Sequence, residues 1–287
     1  KVKCKGDIEM YGQKYHCWKD KGHGYMSLRN AMKQSCDIYF YEMARKLGVD
    51  KLAVIAKKYG LGSKVLGDVY FDEKKGLVPD TKWKRRHLGR GWLLGETIIN
   101  GIGQGYIQTS PLQLCLMTAQ LANGGYKITP HIINNNDIVF EEVKSNIQKD
   151  LINPNLSSNM RLYQNKKNIE FVLDAMFGST NEVGGTSYRS RYDDKKYQFA
   201  GKTGTSQVKR ITEAERKLDL KQSQIEYKNR DHALYIAFAP YKEPRYSLSV
   251  LIEHGGSGSK AAAPIASKLI KKIIDRHEMR EQTRRQI

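Results

Sequence analysis

The sequence predicts one α/β body of the α+β type, an antiparallel sheet made mainly of the last three strands, with the C-terminal helix on one face and earlier helices on the other. Three observations predict it. Apolar residues recur at helical spacing in several stretches between Ser27 and Asn123. Residues 197–208, His232–Ala239 and Tyr246–Glu253 are β-rich, the last two joined through Pro240-Tyr241-Lys242-Glu243-Pro244 as a hairpin with a longer loop. Pro264–Ile274 is amphipathic at helical period.

Residues 1–26 carry little periodic pattern and are rich in Gly, Lys, Cys and aromatics, so they need a staple or an irregular packing against the body. Ser27 reads as the N-cap of a first helix carrying Leu28, Ala31 and Met32. Gln34-Ser35-Cys36-Asp37 interrupts it. A second helix runs from Ile38 to Leu47, with Asp37 as a candidate cap and Gly48 closing it. Asp50 caps a third that reaches Tyr59. Residues 63–95 read as loop and short strand around the basic run Lys82 to His87. Ser110-Pro111-Leu112-Gln113 is a capping box with proline at the first helical position. The helix it opens is apolar on most faces, which predicts burial, and stops at Asn123-Gly124-Gly125. Residues 131–167 are expected to form loops with a short strand, and Asn168–Phe177 a helix. Residues 209–230 are a charged surface excursion and 275–287 a basic tail.

The 287 residues suffice for one large core or two ordinary domains; 39% are hydrophobic and 28% charged, an ordinary composition for a folded domain. No run of 18 apolar residues exists, so no segment of this chain is expected to span a bilayer. The opening Lys1-Val2-Lys3-Cys4 reads as the interior of something longer. A net charge of +19 suits an anionic polymer, lipid or nucleic acid. No zinc-finger, RNP-type or helix-turn-helix signature accompanies it, so nucleic acid is not expected as a partner.

Cys4, Cys17, His23 and Cys36 have the chemistry of a tetrahedral Cys3His metal site, at wider spacing than a CxxC knuckle. A Cys4–Cys17 disulfide in an oxidising compartment and simple packing without a ligand are the other readings, and the spacing leaves all three open. Cys115 falls in an apolar helical pattern and reads as a core residue.

The chain centres on Phe199-Ala200-Gly201-Lys202-Thr203-Gly204-Thr205-Ser206. Lys202 brings a charge, Thr203 and Thr205 bring hydroxyls, and Gly201 and Gly204 leave room for a ligand to lie close to the backbone. Such an edge suits a carboxylate-bearing peptide. Together, Ser35-Cys36-Asp37 between two helices and Lys202-Thr203-Gly204 resemble two of the three signatures of penicillin-recognising transpeptidases. The likeness runs on through Gly22-His23-Gly24, Gly95-Glu96-Thr97, Ile102-Gly103-Gln104-Gly105-Tyr106, Thr109-Ser110-Pro111-Leu112-Gln113, Leu121 to Gly125, Asp231-His232-Ala233 and Ala262 to Ala266. In these segments the chain is similar to the penicillin-binding protein 2 family, the class B, elongation-specific D,D-transpeptidases of bacterial cell-wall synthesis. Only 131–167 and the charged excursion fall outside the resemblance.

The resemblance implies a serine β-lactamase-like fold, incomplete at its N-terminus, and a complete protein anchored in the inner membrane by a single helix with its catalytic domain in the periplasm. Peptidoglycan stem peptides are the implied substrates, β-lactams the inhibitors, and the shape-determining glycosyltransferase and elongation complex the partners. The family's Ser-x-x-Lys, which carries nucleophile and base, has no counterpart upstream of Ser35. Ser206-Gln207-Val208-Lys209 and Ser257-Gly258-Ser259-Lys260 match it only by accident, in the wrong context. The chain therefore reads as the C-terminal part of the transpeptidase domain. Ser35 is implied as the proton relay to the departing amine and Asp37, kept ionised by neighbouring lysines, as the group that orients the missing lysine or the donor amide. Lys202 is implied as a catalytic and substrate-binding cation, with Thr203, Gly204 and Thr205 binding substrate and the Thr205 N–H forming half of an oxyanion hole. No cofactor is implied for catalysis; a zinc on the four early ligands would be structural and would fix Ser35 and Asp37. A non-catalytic fragment, or a D,D-carboxypeptidase or β-lactamase on the same fold, is the alternative.

Overall fold

The computed structural model describes residues 1–67, 72–130, 160–209 and 224–286. The core of the fold is a three-stranded antiparallel sheet of β5 (Ala200–Ser206), β6 (His232–Ala239) and β7 (Tyr246–Ile252), numbered after four short early strands and arranged β5-β6-β7, so β5 is an edge. Register places Lys202 opposite Ile236 and Thr205 opposite Ala233.

Strand side chains alternate between faces, and β6 uses both. Ala233, Tyr235, Ala237 and Ala239 meet Ala262, just before the C-terminal helix, and Ala263, Ala266, Ile270 and Ile274 of that helix. Phe238 and partly buried Ile236 meet Met176 and Phe177 of an earlier helix on the other face. The expected layering is what the structure has. The C-terminal helix, however, runs from Ala263 to Gln286, so the segment read as a basic tail continues it. Charge holds the extension: Asp275 accepts from the Tyr197 hydroxyl at 2.6 Å, and Lys196 pairs with Glu278 at 2.6 Å.

At the other end of the chain, β1 (Val2–Cys4) pairs with β4 (Gly24–Met26) and β2 (Asp7–Met10) with β3 (Gln13–His16), all antiparallel. Then follow α1 (Leu28–Gln34), α2 (Asp37–Leu47) and α3 (Val49–Lys58). Ser27 caps α1 as expected. Asp37 and Asp50 do not act as the expected caps. Cys36 takes the N-cap position of α2. Asp50 lies in the first turn of α3 and accepts from the Thr81 N–H at 2.9 Å. It thereby ties α3 to α4 (Thr81–Leu88), a helix the loop reading of 63–95 missed. Asp80 caps α4, accepting from the Trp83 N–H at 2.7 Å. After α5 (Leu94–Asn100), α6 (Pro111–Ala122) opens with the expected capping box. Its fully buried positions are polar rather than apolar: Gln113, Thr118 and Gln120. Each has a backbone partner, Gln113 reaching the carbonyls of Ser63 and Lys75 at 2.6 and 2.8 Å. The last of the earlier helices is α7 (Lys166–Asn181), and the C-terminal helix is α8. Most of the 131–167 reading and residues 210–223 of the excursion lie outside the described residues.

Candidate active site

Helix α1 ends at Ser35, whose φ of 52° and ψ of 52° place a non-glycine residue in the left-handed region, at a cost of about 1–2 kcal/mol. Trp18 holds it there. Its indole N–H donates to the carbonyls of Ser35 and Gln34 at 2.8 and 3.1 Å, and its backbone N–H donates to the Asp37 carboxylate at 2.9 Å. The resulting turn aims the Ser35 hydroxyl at the sheet. Across 167 residues of sequence, Lys202 on β5 donates to that hydroxyl, and also to the Thr203 carbonyl at 2.8 Å. The two predicted motifs therefore meet at one point.

Burial pulls the Lys202 pKa down to about 8, with Asp37 opposing. Burial likewise pushes Asp37 up to about 7, helped by the neighbouring Cys17. Lys202, one of the lysines expected to help keep Asp37 ionised, does pull in that direction, but desolvation of the carboxylate outweighs it.

Hydroxyls brace β5. Thr203 bonds Thr186 at 2.9 Å, and Thr186 bonds Ser179 at 3.1 Å. The Tyr235 hydroxyl sits beneath the strand, 3.0 Å from both Thr180 and Ser187. A Cβ on Gly201 would fall 2.3 Å from it, and a Cβ on Gly258 would fall 2.5 Å from the Gly204 carbonyl oxygen. The room made by Gly201 and Gly258 is taken up by the protein itself, whereas a Cβ on Gly204 would meet only the Leu234 side chain, at 3.3 Å. Thr205 is exposed at the free edge. Helix α1 is held to α7 by Arg29 and Lys33, which grip Glu182 at 2.6 and 2.8 Å and keep its pKa near about 2.

The four early ligands also come together. Cys4, Cys17, His23 and Cys36 place their ligand atoms within 4.8 Å of one another. The His23 Nδ1 lies 3.6 Å from the Cys4 sulfur and 3.5 Å from that of Cys17. All four cysteines are free thiols. Hydrogen bonding from Cys36, backed by the backbone N–H groups of Lys19 and Asp37, lowers the Cys17 pKa against the opposing effect of burial, and Cys17 in turn pushes Cys36 up. Cys115 is half-buried, not a core residue, and lies 3.3 Å from the Ser247 hydroxyl.

Sequence reasoning missed Trp18, Thr186 and Gln104 as parts of this site. The Gln104 amide donates to the Thr205 carbonyl at 2.8 Å. Its bracketing glycines were the available signal; nothing in the sequence marked Trp18 or Thr186.

A serine at a helix junction facing a lysine on the open edge of an antiparallel sheet defines a class of acyl-transfer proteins that recognise penicillin. Residues 1–271 match the penicillin binding protein transpeptidase domain, and the chain belongs to that family. It is 33% identical over 264 residues to the peptidoglycan D,D-transpeptidase MrdA of Salmonella typhimurium, covering 91% of this chain and 40% of that protein. The Escherichia coli MrdA is 29% identical over 263 residues, with 92% and 39% covered. Among solved structures, the Helicobacter pylori PBP2–MreC complex superimposes with a TM-score of 0.77 at 30% identity, covering 96% of this chain and 45% of that one. Pseudomonas aeruginosa PBP2 in complex with WCK 5153 gives 0.73 at 32% identity, with 94% and 52% covered. The chain spans about 40% of the length of the curated relatives it matches.

Proposed function

We propose that this chain supplies the recognition wall of a serine-type peptidoglycan D,D-transpeptidase, which cross-links stem peptides during cell-wall elongation and is acylated by β-lactams. The contact of Lys202 with Ser35, next to Asp37 and at an open sheet edge, carries the reading. The nucleophilic serine and its lysine base come from a Ser-x-x-Lys that these 287 residues do not contain in suitable context. In the first step the serine oxygen bonds to the penultimate D-Ala carbonyl carbon. The peptide C–N bond breaks, and the departing D-Ala amine takes a proton relayed through the Ser35 hydroxyl. An acceptor amine then attacks the ester, forming the cross-link and releasing the serine. The Thr205 N–H supplies one donor to the carbonyl oxygen as charge develops on it, and Lys202 with the Thr203 and Thr205 hydroxyls faces the substrate carboxylate.

The same reading places the complete protein at the inner membrane, single-pass, with this domain in the periplasm beside a shape-determining glycosyltransferase. The MreC complex of the Helicobacter relative supports an elongation-complex setting. No described helix is long and apolar enough to cross a membrane.

Cys4, Cys17, His23 and Cys36 are read as holders of a structural zinc. Tetrahedral zinc with sulfur at about 2.3 Å and nitrogen at about 2.0 Å separates the two by about 3.5 Å. That spacing agrees with the 3.5 and 3.6 Å between His23 and its cysteines. With all four positions filled by protein the metal would order the turn that carries Ser35, not activate a substrate.

Intact-mass analysis after incubation with a labelled penicillin tests the activity. A stoichiometric adduct is expected on the full-length protein that carries this chain, and none on the folded 287-residue chain. An adduct mapped to Ser35 or Ser257 of the chain would overturn the assignment of the nucleophile.

A further inference from the structure

A cavity of about 540 Å³ opens where α4 gives way to α5, and the mechanism above gives it no task. Its size falls within the range of binding clefts, about 300–1,000 Å³. The half-buried rings of Trp92 and Tyr106 form two of its walls, with centroids 6.2 Å apart and planes at 60°. Trp83 backs Tyr106 at 5.4 Å. Leu88 and Leu93 add to the lining, and Leu93 is 63% exposed.

The polar side chains at the base are already engaged. Lys84 is buried and donates to both oxygens of Glu96, at 2.5 and 2.7 Å, with its ammonium 5.9 Å from the centre of the Trp92 ring. The Glu96 oxygens also accept from the Tyr106 hydroxyl at 3.3 Å and from the Leu93 N–H at 2.8 Å. The Trp92 indole N–H donates to the Thr97 hydroxyl at 2.8 Å. With its one carboxylate engaged, the cavity suits an apolar group better than a hydroxyl-rich sugar.

The charge that stays free here is positive. Arg90 lines the cavity, and Arg85 and Arg86 lie on α4 between Lys84 and Leu88. All three arginines are exposed and have no acidic partner among the described residues. No Asp or Glu occurs from Thr81 to Gly95.

We propose that this cavity is a docking site for a protein segment that inserts an apolar side chain against Trp92, Tyr106 and Leu93 and sets acidic residues against the arginines around it. Pockets walled by Trp and Tyr with Arg at the edge are where binding energy concentrates at protein interfaces. A second copy of this chain would bring the same arginines against these, so like charges oppose that pairing. A bilayer presents a flat face and fills a concavity only by giving up a lipid. The inference does not depend on whether penicillin acylates the full-length protein.

The test starts in cells that make the full-length protein, with the photo-crosslinking residue p-benzoylphenylalanine in place of the exposed Leu93. Mass spectrometry is expected to find it joined to a protein segment in which acidic residues flank an apolar side chain. A synthetic peptide of that segment is expected to bind the purified full-length protein, and to bind more weakly as salt rises. Trp92→Ala is expected to weaken that binding at least about tenfold. Arg90→Glu is expected to weaken it at low salt and to flatten its salt dependence, with the melting temperature of the wild type. Because Arg90 is exposed, that variant decides the matter if Trp92→Ala does not fold. Crosslinks only to lipid, to glycan or to another copy, no crosslink at all, or a segment without acidic residues would overturn the proposal. So would peptide binding that neither variant changes.

Discussion

Lys202 is held where burial and a carboxylate pull its proton in opposite directions, and burial wins, lowering its pKa to about 8. An unfolded lysine titrates near about 10.4. The native state therefore sheds its proton first. Burying the cation costs stability in full below about pH 8, and the cost fades as pH rises toward the unfolded value. Lys202→Met is expected to raise the melting temperature by a few degrees near about pH 7, a gain that shrinks by about pH 10.5. A gain of equal size at both pH values would remove ionisation as its cause. In the full-length protein the same variant is expected to lose penicillin acylation, and unchanged acylation would remove Lys202 from the site. Ser35 shows the same exchange of stability for function: its left-handed backbone is unfavourable in isolation and persists because Trp18 clamps it from two sides.

The four early strands are only three or four residues long, too short to persist as isolated hairpins. They share an apolar cluster with Ile38 and Tyr41 of α2, and within it Cys4, Cys17, His23 and Cys36 meet, from β1, the segment after β3, the turn before β4, and the cap of α2. About one zinc per folded chain is expected by metal analysis, with loss of metal and a lower melting temperature in Cys17→Ala. A strong chelator should melt the wild type earlier and leave the variant unchanged. Equal zinc near zero in wild type and variant would discard the metal. The ligand set was legible in the sequence because Cys and His are rare and chemically marked. The helix α4 was not, because Lys82, Lys84, Arg85 and Arg86 mask its period; the packing that makes it a helix includes the buried pairing of Lys84 with Glu96 at 2.5 Å. The extension of α8 was hidden for a similar reason, since its partners Tyr197 and Lys196 are remote in sequence. By contrast β5, β6, β7 and the start of α6 carried local signals, alternation and a capping box, that needed no tertiary partner. Ser35 and Lys202 were legible as motifs, whereas the supports Trp18, Thr186 and Gln104 reach Ser35, Thr203 and Thr205 from 17 or more residues away.

Across the molecule, a charge of +19 repels other copies of the chain, while exposed Leu93, Leu94, Val54, Ile55 and Val183 favour their association. At about 1 M salt the screening length falls to about 3 Å and the repulsion is lost. The isolated 287-residue chain is therefore expected to stay dispersed at low salt and to self-associate as salt rises, read by light scattering. A sharp monomer peak at both extremes would contradict this balance. Distance along the chain has one more consequence. Ser35 and Lys202 are separated by 167 residues, and the strand that carries Lys202 is secured by β6, which is later still. A ribosome that makes this chain releases Ser35 long before its partner. Throughout that interval the two halves of the site cannot meet, so the wall that the proposed function needs exists only when the last strands have arrived.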